Sequence, residues 1–112
     1  MKVEVRFPGL EHSEAVSEHA MRRAQFQLSR FGREVTEVVV RLSDVNGPRG
    51  GTDLRCQVSV RGPRIGTWTM HGIAGDAYSG IDVTLSRMAR SIARELDRAR
   101  DMERGVAQAR RA

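Results

Sequence analysis

Period-two alternation is the feature that most constrains this chain. Lys2-Val3-Glu4-Val5-Arg6-Phe7 places Val3, Val5 and Phe7 on one side and charges on the other. The pattern returns in Thr36 to Ser43, where Val38, Val40 and Leu42 point one way and Glu37, Val39 and Arg41 the other. It returns again in Leu54, Cys56, Val58 and Val60, set against Arg55, Gln57, Ser59 and Arg61. Such segments read as strands buried on one face only. Ile65 to Ile73, with Trp68 and Met70 at alternate positions, reads as a fourth strand interrupted by Gly66 and Gly72. Pro8-Gly9 and Gly62-Pro63-Arg64 are turns. The polar run Asp44 to Gly51 is a loop longer than a tight hairpin connection.

Two segments switch to the helical period. Ser13 stands where an N-cap belongs and Glu14 in a first turn, where a carboxylate complements the helix dipole. Val16, Ala20, Ala24, Leu28 and Phe31 then share about a third of a helical wheel, which predicts a helix over 14–31 stopped by Gly32. Asp76 caps a second helix over 77–103, whose stripe is Ile81, Leu85, Met88, Ile92, Leu96 and Ala99. The order is β-α-β-β-β-α. The expected fold is α+β: a four-stranded mixed sheet with two helices packed on one face, the first strand pair parallel through a right-handed crossover. Residues 1–104 form a single domain, and 105–112 a short basic C-terminal tail.

The chain has 112 residues, enough for one core. It contains no apolar run of about 18 residues and no secretory hydrophobic region at its start. With one cysteine it cannot close an internal disulfide, so it reads as cytoplasmic, with no membrane partner. The glycine-rich stretch at 47–51 lacks the Gly-Lys-Ser/Thr ending of a phosphate-binding loop. Catalysis finds no support. His12, His19 and His71 are not at metal-ligand spacings, Cys56 has the parity of a core residue, and Ser13 and Ser43 read as cap and strand-end residues. No enzyme, metal site, cofactor or small-molecule substrate is expected. Trp68 and Met70 read as core filler beneath the second helix.

The formal charge is +5, from 19 basic and 14 acidic residues, and Lys2 is the sole lysine. Arginine placement says more than arginine number. Arg87, Arg90, Arg94 and Arg98 fall within about 80° of arc on the second helix, away from its apolar stripe. Glu95, Asp97, Asp101 and Glu103 lie to the sides or in its C-terminal half. On the first helix Arg22, Arg23 and Arg30, with Arg33 just beyond, gather on the flank that carries His19 and Phe26. If the helices lie side by side, these flanks merge into one patch that binds phosphate with guanidinium forks, Phe26 adding a stacking surface. The outward sheet face, with Arg6, Arg41, Arg55 and Arg61, mixes in Glu4 and Glu37 and reads as ordinary surface.

Asp76-Ala-Tyr78-Ser-Gly-Ile81-Asp82, followed by Leu85-Ser-Arg87-Met88-Ala89-Arg90-Ser-Ile92-Ala-Arg94, resembles the last helix of the ribosome hibernation-promoting factors. That family includes the ribosome-associated inhibitor and the sigma-54 modulation proteins. Ser13-Glu14-Ala15-Val16 is similar to its Thr-Glu-Ala-Leu opening, and the likeness spans roughly residues 1–100. Ala24 and His19 depart from it, standing where the family has larger apolar groups. The resemblance implies a short-type factor, monomeric when free. It would bind ribosomal RNA of the small ribosomal subunit and sterically block the mRNA/tRNA channel under stress or in stationary phase. The phosphate contacts would be Arg23, Arg30, Arg87, Arg90, Arg94 and Arg98, with Arg22 and Arg33 secondary. The alternative is a divergent paralogue acting as a protein–protein or general RNA-binding module, with Phe26 and the loop around Arg49 as its interface.

Overall fold

In a computed structural model, residues 1–45 and 53–111 are described, with side chains through residue 106. Four strands, β1 (Lys2–Arg6), β2 (Glu37–Asp44), β3 (Leu54–Gly62) and β4 (Gly66–Ala74), form one sheet in the order β1-β2-β3-β4. The β1–β2 pair is parallel and the other two pairs are antiparallel. Helices α1 (Glu14–Leu28) and α2 (Ala77–Arg111) pack against each other on one face of this sheet, α1 over β1 and α2 over β3 and β4. This is the expected β-α-β-β-β-α mixed sheet. The glycine-rich loop and its Arg49 lie outside the described residues.

The core is the sum of the predicted faces. Val38, Val40 and Leu42 of β2 and Cys56, Val58 and Val60 of β3 meet Val16, Ala20, Ala24 and Leu28 of α1 and Ile81, Leu85, Met88 and Ile92 of α2, all buried. Ala20 and Ala24 on α1 bring its backbone close to the sheet. Trp68 and Met70 pack against this core, and the Trp68 indole N–H donates to the Ile65 carbonyl at 2.9 Å. Burial pushes the Cys56 thiol up to about 11, with the Thr84 hydroxyl acting in the opposite sense.

Both helix starts carry the predicted caps. Ser13 Oγ accepts from the Val16 N–H at 3.3 Å, and Asp76 accepts from the Ser79 N–H at 2.9 Å and from the Ser79 hydroxyl at 2.8 Å. The helix ends differ from expectation. α1 stops at Leu28 and the chain tightens into a 3₁₀ segment, Ser29–Glu34, kinked at Gly32 with φ 56°. Gly32 turns the chain within that segment, with a left-handed φ that other residues resist, but the α-helix has already ended at Leu28 and not at the glycine. α2 continues to Arg111, through residues assigned from sequence to the tail. The apolar stripe ends near Ala99, so periodicity gives no signal beyond it. Propagation there rests on intrinsic propensity and on side-chain pairs within the helix, Arg98–Glu95, Arg100–Asp97 and Arg104–Asp101.

The glycines within β4 find their explanation here. Gly66 has φ 72° at the turn that leads out of β3 and pairs with Gly62. Gly72 lies directly beneath α2, where a Cβ would stand 3.3 Å from Thr84 Oγ1. Its missing side chain lets the helix sit down on the strand.

Candidate nucleic-acid interface

The inward stripe of α2 fixes which way its arginines face. With Ile81, Leu85, Met88 and Ile92 against the sheet, Arg87, Arg90, Arg94 and Arg98 all lie exposed on the outer side. Arg90 Nη1 donates to Ser86 Oγ at 3.0 Å, and Arg94 Nη2 to Ser91 Oγ at 3.2 Å. These serines steady the guanidinium groups without neutralising them. Arg87 has no acidic partner among the described residues. The first carboxylate on this face is Glu95, with Oε2 3.7 Å from Arg98 Nη1. From Arg87 to Arg94 the outer surface of α2 is therefore cationic and, among the described residues, unpaired.

The arginines of α1 have more varied surroundings. Arg22 is exposed and unpaired among the described residues. Arg23 is half-buried, with Nε 3.3 Å from Asp82 Oδ1 and its guanidinium carbon 5.1 Å from the Phe26 ring centroid. Arg30 and Arg33 fall in the 3₁₀ segment beyond α1. The Arg30 guanidinium stacks 4.7 Å over Phe31, and Arg33 is exposed. Phe26 itself is 72% exposed, so its ring is open to a partner.

The helices do lie side by side, as a merged patch requires, but the contact joining them is acidic. Asp82 Oδ1 is 2.7 Å from His19 Nε2, and His19 meets the edge of Tyr78 with centroids 5.0 Å apart. Asp82 thus engages two α1 side chains and offsets the charge of Arg23. Around the α2 axis the four ridge arginines stand about 80–160° beyond Asp82, on the outer flank and the side away from α1. The structure groups Arg87, Arg90, Arg94 and Arg98 on one face and ties Arg23 into the seam between the helices. Sequence reasoning missed this pairing role of Asp82. The available signal was His19, a polar residue on the flank of α1 that must face a neighbour.

Among the described residues, no group of three His, Cys, Asp or Glu side chains is placed to hold a metal ion. No helix among them is long and apolar enough to cross a membrane. The chemistry this surface offers is recognition: fixed, charged donors in forks suited to phosphate oxygens.

Comparison with known proteins bears on the fold and the family. The fold is similar to that of a ribosomal subunit interface protein from Coxiella burnetii, with a TM-score of 0.73 and 14% identity over 87% of this chain and 99% of that one. It is also similar to the N-terminal domain of Protein Y from Thermus thermophilus, with a TM-score of 0.68 and 20% identity over 84% and 98% of the two chains. No curated protein sequence gives a significant match. The family described as Sigma 54 modulation protein / S30EA ribosomal protein matches residues 3–100, which take in the four strands, α1 and about the first two thirds of α2. The chain that carries this arginine ridge therefore belongs to the Sigma 54 modulation protein / S30EA ribosomal protein family, a ribosome-associated family rather than a family of enzymes.

Proposed function

We propose that this protein is a ribosome hibernation factor, which binds ribosomal RNA of the small subunit and occupies the channel used by mRNA and tRNA. The observation that carries the reading is the run of Arg87, Arg90 and Arg94 on the outer face of α2, exposed and without a carboxylate among the described residues, in a chain of this family. Its action is steric. Arg22, Arg30, Arg33 and Arg98 extend the phosphate contacts, Arg23 contributes from the seam, and Phe26 offers its ring to an unstacked base. Such a protein acts in the cytoplasm, idles the ribosome while bound and needs no cofactor.

Sedimentation through a sucrose gradient tests the reading. At low salt the protein should travel with small subunits and should reduce their retention of tRNA in a filter-binding assay. Protein that stays at the top of the gradient removes the proposal. Co-sedimentation with full retention of mRNA and tRNA removes its channel-blocking half.

A further inference from the structure

The outward face of the sheet is electrically polarised along its strands. Strand register arranges its side chains in rows. Lys2, Glu37, Arg61 and Thr67 form one row, and Glu4, Val39, Ser59 and Thr69 the next. Both glutamates of the face lie in these rows. The third row is Arg6, Arg41, Gln57 and His71, and the fourth is Ser43, Arg55 and Ile73; neither contains an acid.

Ion pairing sharpens the contrast. Arg6 donates twice to Glu4, at 2.9 and 3.1 Å, which holds the Glu4 carboxyl below the usual carboxylate range. Arg61 donates to Glu37 at 3.1 Å. Both glutamates are thereby used up. Arg41 and Arg55 have no carboxylate partner among the described residues and are diagonal neighbours across β2 and β3, about 7–8 Å apart at the backbone. Gln57 and His71 stand beside them on β3 and β4, adding polar side chains. Arg55, His71 and Ile73 are exposed, Ile73 at 63%.

We infer that the two rows of the outer sheet face centred on Arg41 and Arg55 are a second phosphate-binding surface that takes the backbone of an RNA strand. Two unpaired guanidinium groups on rigid neighbouring strands present forks to phosphate oxygens at little ordering cost. Ile73, beside Arg55, supplies an apolar contact for a ribose or base. The ridge on α2 lies on the opposite side of the domain, so the two surfaces together engage RNA from both sides. This second surface extends the proposed function and rests on its choice of RNA as the partner.

NMR of arginine Nε–H groups during titration with an octauridylate RNA at low salt tests the sheet surface without ribosomes. The protein to use is R90E/R94E, in which the helix ridge no longer competes. The Arg41 and Arg55 signals should shift saturably while those of Arg6 and Arg61 stay nearly still. Adding R41Q and R55Q should weaken the remaining binding about tenfold or more. Stationary Arg41 and Arg55 signals in both this variant and the wild-type protein overturn the inference. So do equal shifts with octaglutamate, which would make the patch a site for acidic peptide. Wild-type co-sedimentation with small subunits is scored separately, so either proposal can fail alone.

Discussion

Asp82 illustrates how one residue decides what a charged surface can do. It takes His19 and Arg23 from the neighbouring helix, so its loss releases two partly buried groups at once. Replacement by alanine should cost about 1–2 kcal/mol, read as a lower urea midpoint with an unchanged slope. An unaltered midpoint would show that the seam is held by packing alone. Gly62 makes a harder demand, since a Cβ there would stand 1.7 Å from the Glu34 carbonyl oxygen. Gly62→Ala must displace backbone and should lose more than about 2 kcal/mol in the same assay. Cys56 gives a pH prediction. With its pKa at about 11, roughly one thiol in a thousand is ionised at pH 8, so maleimide labelling should be very slow until the protein unfolds. Labelling as fast as a free thiol would contradict its burial.

At the scale of elements, strand parity and helix stripes could be read from sequence because each element is apolar on one side only. Val38, Val40 and Leu42 announce a buried face by spacing alone, and the structure buries all three. The end of α2 beyond residue 103 was illegible for the converse reason. No described residue after Leu96 is buried, and about 15 further residues, roughly 22 Å, run past the core, with Arg64 reaching out to meet Glu103. The Arg41–Arg55 diagonal was equally hidden, because it depends on register between strands rather than on order within one. Caps were legible, and Asp76 carries a testable sign. Its carboxylate is held below its ordinary pKa, first by the Ser79 backbone N–H and then by the Ser79 hydroxyl. The folded state therefore binds this proton less readily than the unfolded chain. The contribution is complete above about pH 4 and lost as pH falls through the lower, folded value. Asp76→Asn should flatten that part of the stability–pH curve; an unchanged curve would exclude the cap as its source.

The whole molecule has extents of 65 × 22 × 17 Å, a narrow body drawn out by α2. Arginines without a carboxylate partner among the described residues lie on the outer face of α2, on α1 and the 3₁₀ segment, and on the outer face of the sheet. Phosphate binding by six or more arginines loses on the order of a thousandfold in affinity between 50 and 200 mM salt. The most direct measurement is the affinity of purified small ribosomal subunits for the wild-type protein and for R90E/R94E across that salt range. The wild-type protein should bind tightly at low salt and weaken steeply as salt rises. The variant should melt like the wild type, since both positions are exposed, yet bind the subunits about a hundredfold more weakly at low salt. Binding by R90E/R94E with the affinity and salt slope of the wild type would show that the ridge on α2 is not what holds this protein to the ribosome.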